Sequence, residues 1–544
     1  MFRECSARER QEYHKVHKKI TIVVELSGNP TTEQIEQIVS SDESLELRPT
    51  TDEIFRRCPQ FRILVIGKTG VGKSSLINHA FGVQNATTSH NMPGEVSIDH
   101  EFTSPQNNKF VLHDSKGFEP GEKDNLKIVR DFINRRRAKP DLKDQLHAVW
   151  LCFEIPRAGG RLLETGVEQF LTSKREGELG DIPIVAVFTK YDTLLDRMER
   201  TLDKSSIKSL SQAAIQDIIK KNAEDKLQEV CVAPLEKFAK SAIPHVTVST
   251  NGNHEETLAR LIQTTEELVR NHVGTDASVM TSVAQRVDPG LKIKASIEVG
   301  KRKYWKALAS SVPFKNRSMW DCLHVLHTDI VNVWNFQDPH GYLCSPEFRT
   351  LMTNMVNELD VGPPPDPNKT LSVGLTIVGT IATIVSALSG PAAPIVVPIA
   401  ASVVIASWVY EVYEQTYVLL LILDRENNDR SLLSRPALQR FMKYIVDLTL
   451  VLQTLVLVAG NQELSRKAIK LAVKSYHESP MNGEVHNRIQ EYDRQMTLRQ
   501  RASRDSLDQI IELLQSYNIS AEEMSDLQRN LPAVDLSSDE PWGS

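Results

Sequence analysis

The chain is 544 residues long, 40% apolar and 25% charged, with a formal net charge of −6. That length exceeds one ordinary domain, and the composition is globular, which excludes an extended disordered chain. The acidic balance argues against a protein that coats nucleic acid, since phosphate neutralisation needs a basic face.

The six cysteines, at 5, 58, 152, 231, 322 and 344, form no CxxC pair. They indicate neither a zinc site nor a disulfide framework, and fit a reducing, cytoplasmic compartment. The first segment, "MFRECSARERQEYHKVHKK", is charged throughout and lacks the apolar core of a secretory signal. Residues 1–58 are read as an N-terminal extension with one strand-like run, Ile20 to Leu26.

From residue 59 the pattern changes. "FRILVIGKTGVGKSSLINHAFG", Phe61 to Gly82, is an apolar strand, a glycine-rich turn and a helix, and Gly67 to Ser74 satisfies GxxxxGK(S/T). Glycines let successive backbone N–H groups converge on an anion, and the helix N-terminus adds partial positive charge. Lys73 is expected to reach the β- and γ-phosphates and Ser74 to ligate Mg²⁺. A second apolar strand ends in Asp114-Ser-Lys-Gly117, a DxxG pattern. Asp114 at a strand's carboxyl end can hold the Mg²⁺ shell through water, and the Gly117 amide can bind a γ-phosphate. The tight cluster Arg135-Arg136-Arg137 reads as a solvated helix face.

A third strand ends in Thr189-Lys190-Tyr191-Asp192. A carboxylate at 192 can accept from both the ring N–H and the exocyclic amine of guanine, a donor pair that adenine lacks. Between this motif and the next strand, "DRMERTLDKSSIKSLSQAAIQDIIKKNAEDKLQEV" reads as one or two inserted amphipathic helices. A last strand, His245 to Thr250, closes on Ser249-Thr250, whose backbone is expected to meet the guanine O6.

In this order the motifs resemble the first, third, fourth and fifth G motifs of translation-factor-class (TRAFAC) GTPases. "GKTGVGKSSLIN" is most similar to the Era-like, septin, chloroplast-translocon and immunity-related (AIG and IRG) side of that class. With "HDSKGFEPGE" and "VFTKYD", the stretch from Arg57 to Val273 is also similar to a group of fungal G-domain proteins. The resemblance implies a GTP- and GDP-binding, Mg²⁺-dependent hydrolase. It implies a phosphate cradle of Lys68, Thr69, Gly70, Val71, Gly72, Lys73, Ser74 and Ser75, with Asp114, Gly117, Thr189, Lys190, Asp192, Ser249 and Thr250 completing the site. Lys73 and Gly117 are the expected catalytic positions, and Ser74, Asp114 and a switch threonine the expected metal ligands. "NATTSHNMPGEVSIDHEF" offers Thr87, Thr88, Ser89 and Ser97 for that threonine, and Thr88 is preferred. Ras-like relatives carry glutamine directly after DxxG, where this chain has Phe118; potassium-activated relatives carry asparagine where it has Gly70. Slow intrinsic hydrolysis is therefore expected, with the water placed by Glu119, a self-contact, a partner or another loop.

The remaining sequence turns helical. Residues 274–480 are read as a helical domain, with a break at Pro363-Pro364-Pro365. Within it, "LSVGLTIVGTIATIVSALSGPAAPIVVPIAASVVIASWVY", Leu371 to Tyr410, is uncharged and turns at its centre. Its arms are long enough to enter a bilayer, yet they carry Ser and Thr, Pro398 interrupts the second, and the flanks are not basic. A membrane-contacting hairpin and a hairpin buried in a helical domain both remain open. Arg440 to Gly460 reads as a core helix because of Lys443 and Asp447. Residues 481–544 read as a charged, partly disordered tail with a short amphipathic helix near Ser506 to Tyr517. The expected fold class is an α/β doubly wound P-loop G domain followed by a mostly α-helical domain containing a hydrophobic helical hairpin. Expected partners are a guanine nucleotide, a second copy of the chain on GTP binding, and a membrane through 371–410, with no nucleic acid.

Overall fold

The computed structural model describes residues 11–17, 20–26, 47–84, 97–116, 123–157, 160–202, 210–240, 242–251, 254–308, 319–357, 373–389, 435–495, 506–532, 535–536 and 539–542. Two compact units are present, Met1–Arg48 and Pro49–Ser544. In the first, strand β1 (Gln11–His17) pairs antiparallel with β2 (Ile20–Leu26), in register from Gln11 opposite Leu26 to His17 opposite Ile20. The second of these strands is the run expected from its apolar residues. The first, "QEYHKVH", is too polar to announce itself.

The larger unit begins with helix α1 (Thr50–Arg57), so residues 49–58 do not belong to the extension. The central sheet contains β3 (Phe61–Gly67), β4 (Phe102–Ser104), β5 (Asn107–Lys116), β6 (Ala148–Glu154), β7 (Ile184–Thr189) and β8 (His245–Thr247). Its spatial order is β4-β5-β3-β6-β7-β8, parallel except for β4 on the edge. Strand β3 is buried at every position, as expected of a strand covered on both faces.

Side chains alternate between the two faces with period two. Ile63 and Val65 face one core, with Leu76, Ile77, Ala80 and Phe81 of α2 (Lys73–Phe81). Leu64 and Ile66 face the other, with helices α3 (Lys123–Arg137), α4 (Thr165–Arg175) and α5 (Tyr191–Thr201). The inserted segment forms α6 (Gln212–Leu227), a π-helical turn at Gln228–Val232 and α7 (Ala233–Ala239). Of the three arginines at the end of α3, Arg135 and Arg137 are exposed, Arg135 pairing with Asp99 at 3.0 Å, whereas Arg136 is half-buried and pairs with Glu101 at 2.7 Å.

Beyond β8 the chain is helical among the described residues: α8 (Glu255–His272), α9 (Thr275–Ala284), α10 (Pro289–Arg302), a single turn at Tyr304–Ala307, α11 (Met319–Trp334), α12 (Pro346–Asn357), α13 (Val373–Ser389), α14 (Arg435–Ala459), α15 (Arg466–His477), α16 (Pro480–Gln495), α17 (Ser506–Ser516) and α18 (Ala521–Arg529). The first core of the sheet continues into this part without a break. Met280 and Val283 of α9, Leu291 of α10 and Val333 of α11 belong to the same buried cluster as Phe81 and Trp150. Phe81 lies between Phe110 (4.4 Å, 9° between planes) and Trp150 (5.9 Å), the offset stacking that aromatic quadrupoles favour. Helix α1 docks on α11, where the backbone N–H and hydroxyl of Thr51 both donate to Asp329, at 2.8 and 2.9 Å. Burial pushes that carboxyl up to about 6.

Helix α14 is the one described helix apolar and long enough to cross a membrane, over Leu438–Ala459. It is a core helix instead: 89% of its apolar window is buried, and its polar groups find protein partners. Asp447 accepts from Tyr476 (2.7 Å) and pairs with His486 (2.8 Å), while Gln453 donates to Tyr517 O (2.9 Å) and accepts from Ile519 N (3.0 Å). The segment after 481 departs from the expected tail. Helices α16, α17 and α18 pack into the body through Ile489, Ile510, Leu513, Leu514 and Leu527, and Asp539 is clamped by Arg466 (2.6 Å) and Tyr342 (2.7 Å). Helix α17 is the amphipathic helix expected near Ser506 to Tyr517; for the other two, a composition average over a charged segment conceals the apolar stripe. Of the apolar stretch 371–410, α13 is a helix; residues 390–410 lie outside the described residues.

Candidate functional site

Strand β3 sits between β5 and β6, so the crossovers leave it in opposite directions and a crevice opens at its carboxyl end. The 67–74 turn occupies that crevice. Gly67 is required by approach: a Cβ there would lie 2.8 Å from Cys152 O and 3.1 Å from Val71 Cγ2. Gly70 (φ 80°) and Gly72 (φ 99°) are required by conformation, both being left-handed. Gly72 is the N-cap of α2 and no side chain caps that terminus, so the helix turns the positive end of its dipole toward the loop. The Lys73 ammonium is buried and donates to Gly67 O (2.7 Å) and Lys68 O (3.1 Å), holding the turn closed around itself.

Asp114 is half-buried on β5, directly opposite Val65 on β3. The Cys152 thiol at the end of β6 feels both neighbours. Burial pushes it up to about 12, with Lys73 opposing and Asp114 adding to the shift. The cation, the carboxylate and Ser74 therefore share one end of the sheet. Gly117, Phe118 and Glu119, and the switch candidates Thr87, Thr88 and Ser89, lie outside the described residues. Ser97 is exposed and its hydroxyl accepts from Asp99 N at 3.2 Å, a local turn.

At the far side of the crevice, β7 ends in Thr189, whose hydroxyl lies 2.7 Å from Val71 O and 3.0 Å from Phe153 O. One side chain thus ties the third strand's end to the P-loop itself. Lys190 follows with a left-handed backbone (φ 60°) and caps α5. Its ammonium pairs with Glu154 of β6 at 2.8 Å. Asp192, in the first turn of α5, accepts from the buried hydroxyl of Ser249 just past β8 at 3.0 Å. Tyr191 N donates to Val248 O at 3.2 Å, fixing the start of α5 against that strand. Thr250 is half-buried next in sequence. The arrangement offers amides and a lysine to a polyphosphate at one end and a carboxylate held by a hydroxyl at the other.

Two features were missed from the sequence. Ser249 meets Asp192 through its side chain, and Glu154 meets Lys190; a charged residue ending the otherwise apolar run "AVWLCFE" was the available signal. A cavity of about 290 Å³ also opens beside the P-loop, lined by Thr69, Cys152, Glu154, Arg161 and the ion-paired Lys68 and Glu164. Ser74, Asp114 and Asp192 do not line it.

Part of the chain is similar to known proteins. Residues 62–189 match the family model described as 50S ribosome-binding GTPase, and residues 342–526 match one described as a domain of unknown function (DUF8505). GTPase Der of Clostridium perfringens (strain 13 / Type A) is 31% identical over 148 residues, 26% of this chain and 30% of that protein. Translocase of chloroplast 90, chloroplastic, of Arabidopsis thaliana is 42% identical over 82 residues, 14% of this chain and 10% of that protein. A crystal structure of "a probable GTP-binding protein engB" aligns with 39% of this chain and 99% of its own, at 20% identity and a TM-score of 0.21. The chain spans less than a third of the length of the Der relative it matches. It contains a P-loop GTPase domain joined to a largely helical C-terminal part.

Proposed function

We propose that the protein is a Mg²⁺-dependent GTPase with slow intrinsic turnover, whose nucleotide state biases the attached helical part. The observation that carries this reading is the Thr189 hydroxyl on Val71 O, with Asp192 three residues further on. It brings the turn proposed to grip phosphate and the strand end proposed to read guanine side by side. In this reading Lys73 and the amides of 68–75 hold the β- and γ-phosphates, and the Gly117 amide senses the γ-phosphate. Asp192 reads the guanine edge, the Lys190 stem lies along the base, and Ser249 and Thr250 close the far end.

The residues at the phosphate end suit Mg²⁺. A hydroxyl at Ser74 and a carboxylate at Asp114 are hard oxygen donors of the kind Mg²⁺ takes beside phosphate oxygens and water. Ser74 would hold the ion directly and Asp114 through water, with Thr88 joining them in the triphosphate state. When bound, the ion neutralises charge developing on the β- and γ-oxygens.

Turnover is slow in this reading because Phe118 has no group to orient water. Self-association on GTP binding, or contact of 371–410 with a membrane surface, would supply what the monomer lacks. A GTP-binding scaffold without turnover is the alternative. The protein is cytoplasmic, and membrane-associated only if 371–410 touches lipid. Coupling to the helices is supported by Asn107, whose amide donates to Phe81 O of α2 (2.8 Å) and Ala284 O of α9 (2.7 Å).

Phosphate release measured against protein concentration, with and without liposomes, separates these outcomes. A per-molecule rate that climbs with concentration or lipid identifies a self-assembling enzyme, and a flat slow rate a switch. Tight GTP binding with no phosphate released identifies a scaffold. Failure to bind GTP in millimolar Mg²⁺, or equal affinity for ATP, overturns the reading.

A further inference from the structure

Strand β7 is flanked by β6 and β8, and the two side chains that follow it reach opposite ways. Lys190 is anchored to β6 through Glu154 at 2.8 Å; Asp192 is anchored toward β8 through Ser249 at 3.0 Å. The register sets Glu154 directly beside Thr189, so its carboxylate lies one residue from the lysine it holds. Lys190 and Asp192 are two residues apart and of opposite charge. Untethered, a flexible four-carbon ammonium beside a carboxylate would pair with it.

We propose that Glu154 is a positioning residue for guanine recognition, holding the Lys190 ammonium on the β6 side so that Asp192 stays free to read the base. The inference rests on the GTP-binding reading above and adds to it a residue that none of the motifs contains. Glu154 touches no nucleotide in this account. It acts by keeping two opposite charges apart, with Ser249 as the matching anchor on the other side. The left-handed backbone at Lys190 fixes where the side chain leaves the main chain, so a single carboxylate suffices to set its direction.

The test uses the full chain and a fluorescent GDP, with IDP, which lacks the exocyclic amine, as competitor. Wild type must first bind GDP; if it does not, the GTP-binding reading fails and this inference with it. Given that binding, Glu154→Gln is expected to weaken GDP about 2- to 5-fold, the scale of a partly exposed ion pair, and to lower the preference for GDP over IDP. In a Lys190→Met background the same change should do nothing, because the ammonium to be restrained is gone. Glu154→Ala removes the carboxylate with a different shape and must shift the preference equally. A change of melting temperature alone, an unaltered GDP/IDP ratio, or an undiminished effect in the Lys190→Met background overturns the proposal while leaving the GTP-binding reading intact.

Discussion

Replacing Asp192 with asparagine changes one oxygen for an NH₂ group and tests base recognition at a single atom. The geometry dictates which atom. The Ser249 hydroxyl donates to Oδ1 of Asp192 at 3.0 Å, and the same oxygen of Ser249 accepts from Asn251 N at 3.1 Å. Its proton is thus committed to an acceptor, so the amide oxygen of asparagine takes the Oδ1 place and the nitrogen turns toward the base. One guanine N–H then loses its charged acceptor and meets a donor instead. At about 1.5–3 kcal/mol for that bond, GDP affinity should fall about 10- to 10²-fold, at roughly 1.4 kcal/mol per decade. Xanthine carries a carbonyl where guanine carries its amine, so XDP should bind Asp192→Asn more tightly than GDP does. Competition of GDP and XDP against a fluorescent nucleotide, on wild type and variant, measures both numbers. An unchanged GDP preference would refute the assignment of this carboxylate.

Asn107→Ala strips one amide from two buried helix-end carbonyls, Phe81 O and Ala284 O. At about 1–3 kcal/mol for each orphaned group, urea unfolding should show a loss of about 2–6 kcal/mol; a loss below about 0.5 kcal/mol would mean that the bridge does not hold α2 to α9. Gly67→Ala drives a methyl against Cys152 O at 2.8 Å, a backbone atom that moves only with its strand. Overpacking of this kind costs about 1–3 kcal/mol, and GDP affinity should drop at least about 10-fold, whereas wild-type binding would show that the turn and β6 can separate freely. For pH, burial holds His113 and His147 down at about 4 and His327 at about 3, below the ordinary 6.5. Each is neutral in the fold and protonated first in the unfolded chain, so its stability is fully present above about pH 6.5 and is lost as pH falls through its folded value. Asp329, pushed up to about 6, acts in the opposite sense but is a single group. Thermal melts should therefore fall from pH 7 to pH 5, by a total on the order of several kcal/mol; a flat profile would contradict the buried, neutral state of these rings.

The continuous core between sheet and helices gives the proposed coupling a physical route. Phe81 ends the helix that begins at Lys73, and it packs between Phe110 and Trp150 in the same cluster as Met280 and Val333. Arg286 N donates to Ala80 O at 2.9 Å in the same place. A shift of α2 at its nucleotide end would be felt at its other end by the buried side chains packed around Phe81.

The sequence alone determined what is local. "GKTGVGKSS" requires left-handed glycines and an uncapped helix start, and the apolar runs ending in Asp114, Thr189 and Ser249 require strands whose carboxyl ends carry polar groups. Lys443 and Asp447 likewise marked Arg440 to Gly460 as a core helix before the partners of Asp447 were known. Only the tertiary structure decided which strand neighbours which, and with it every contact between distant residues. Thr189 reaches Val71 across 118 positions and Asn107 reaches Ala284 across 177. Glu154 and Ser249 became visible as anchors only when β6 and β8 were seen on either side of β7. Of the C-terminal helices, α17 was legible from its periodicity near Ser506 to Tyr517, but its packing into the body, with that of α16 and α18, was not, because an apolar stripe on a charged helix acquires meaning only from the groove that receives it. Local chemistry is written in backbone preference and periodicity, whereas adjacency is set by the packing of the whole chain, which a linear pattern does not encode.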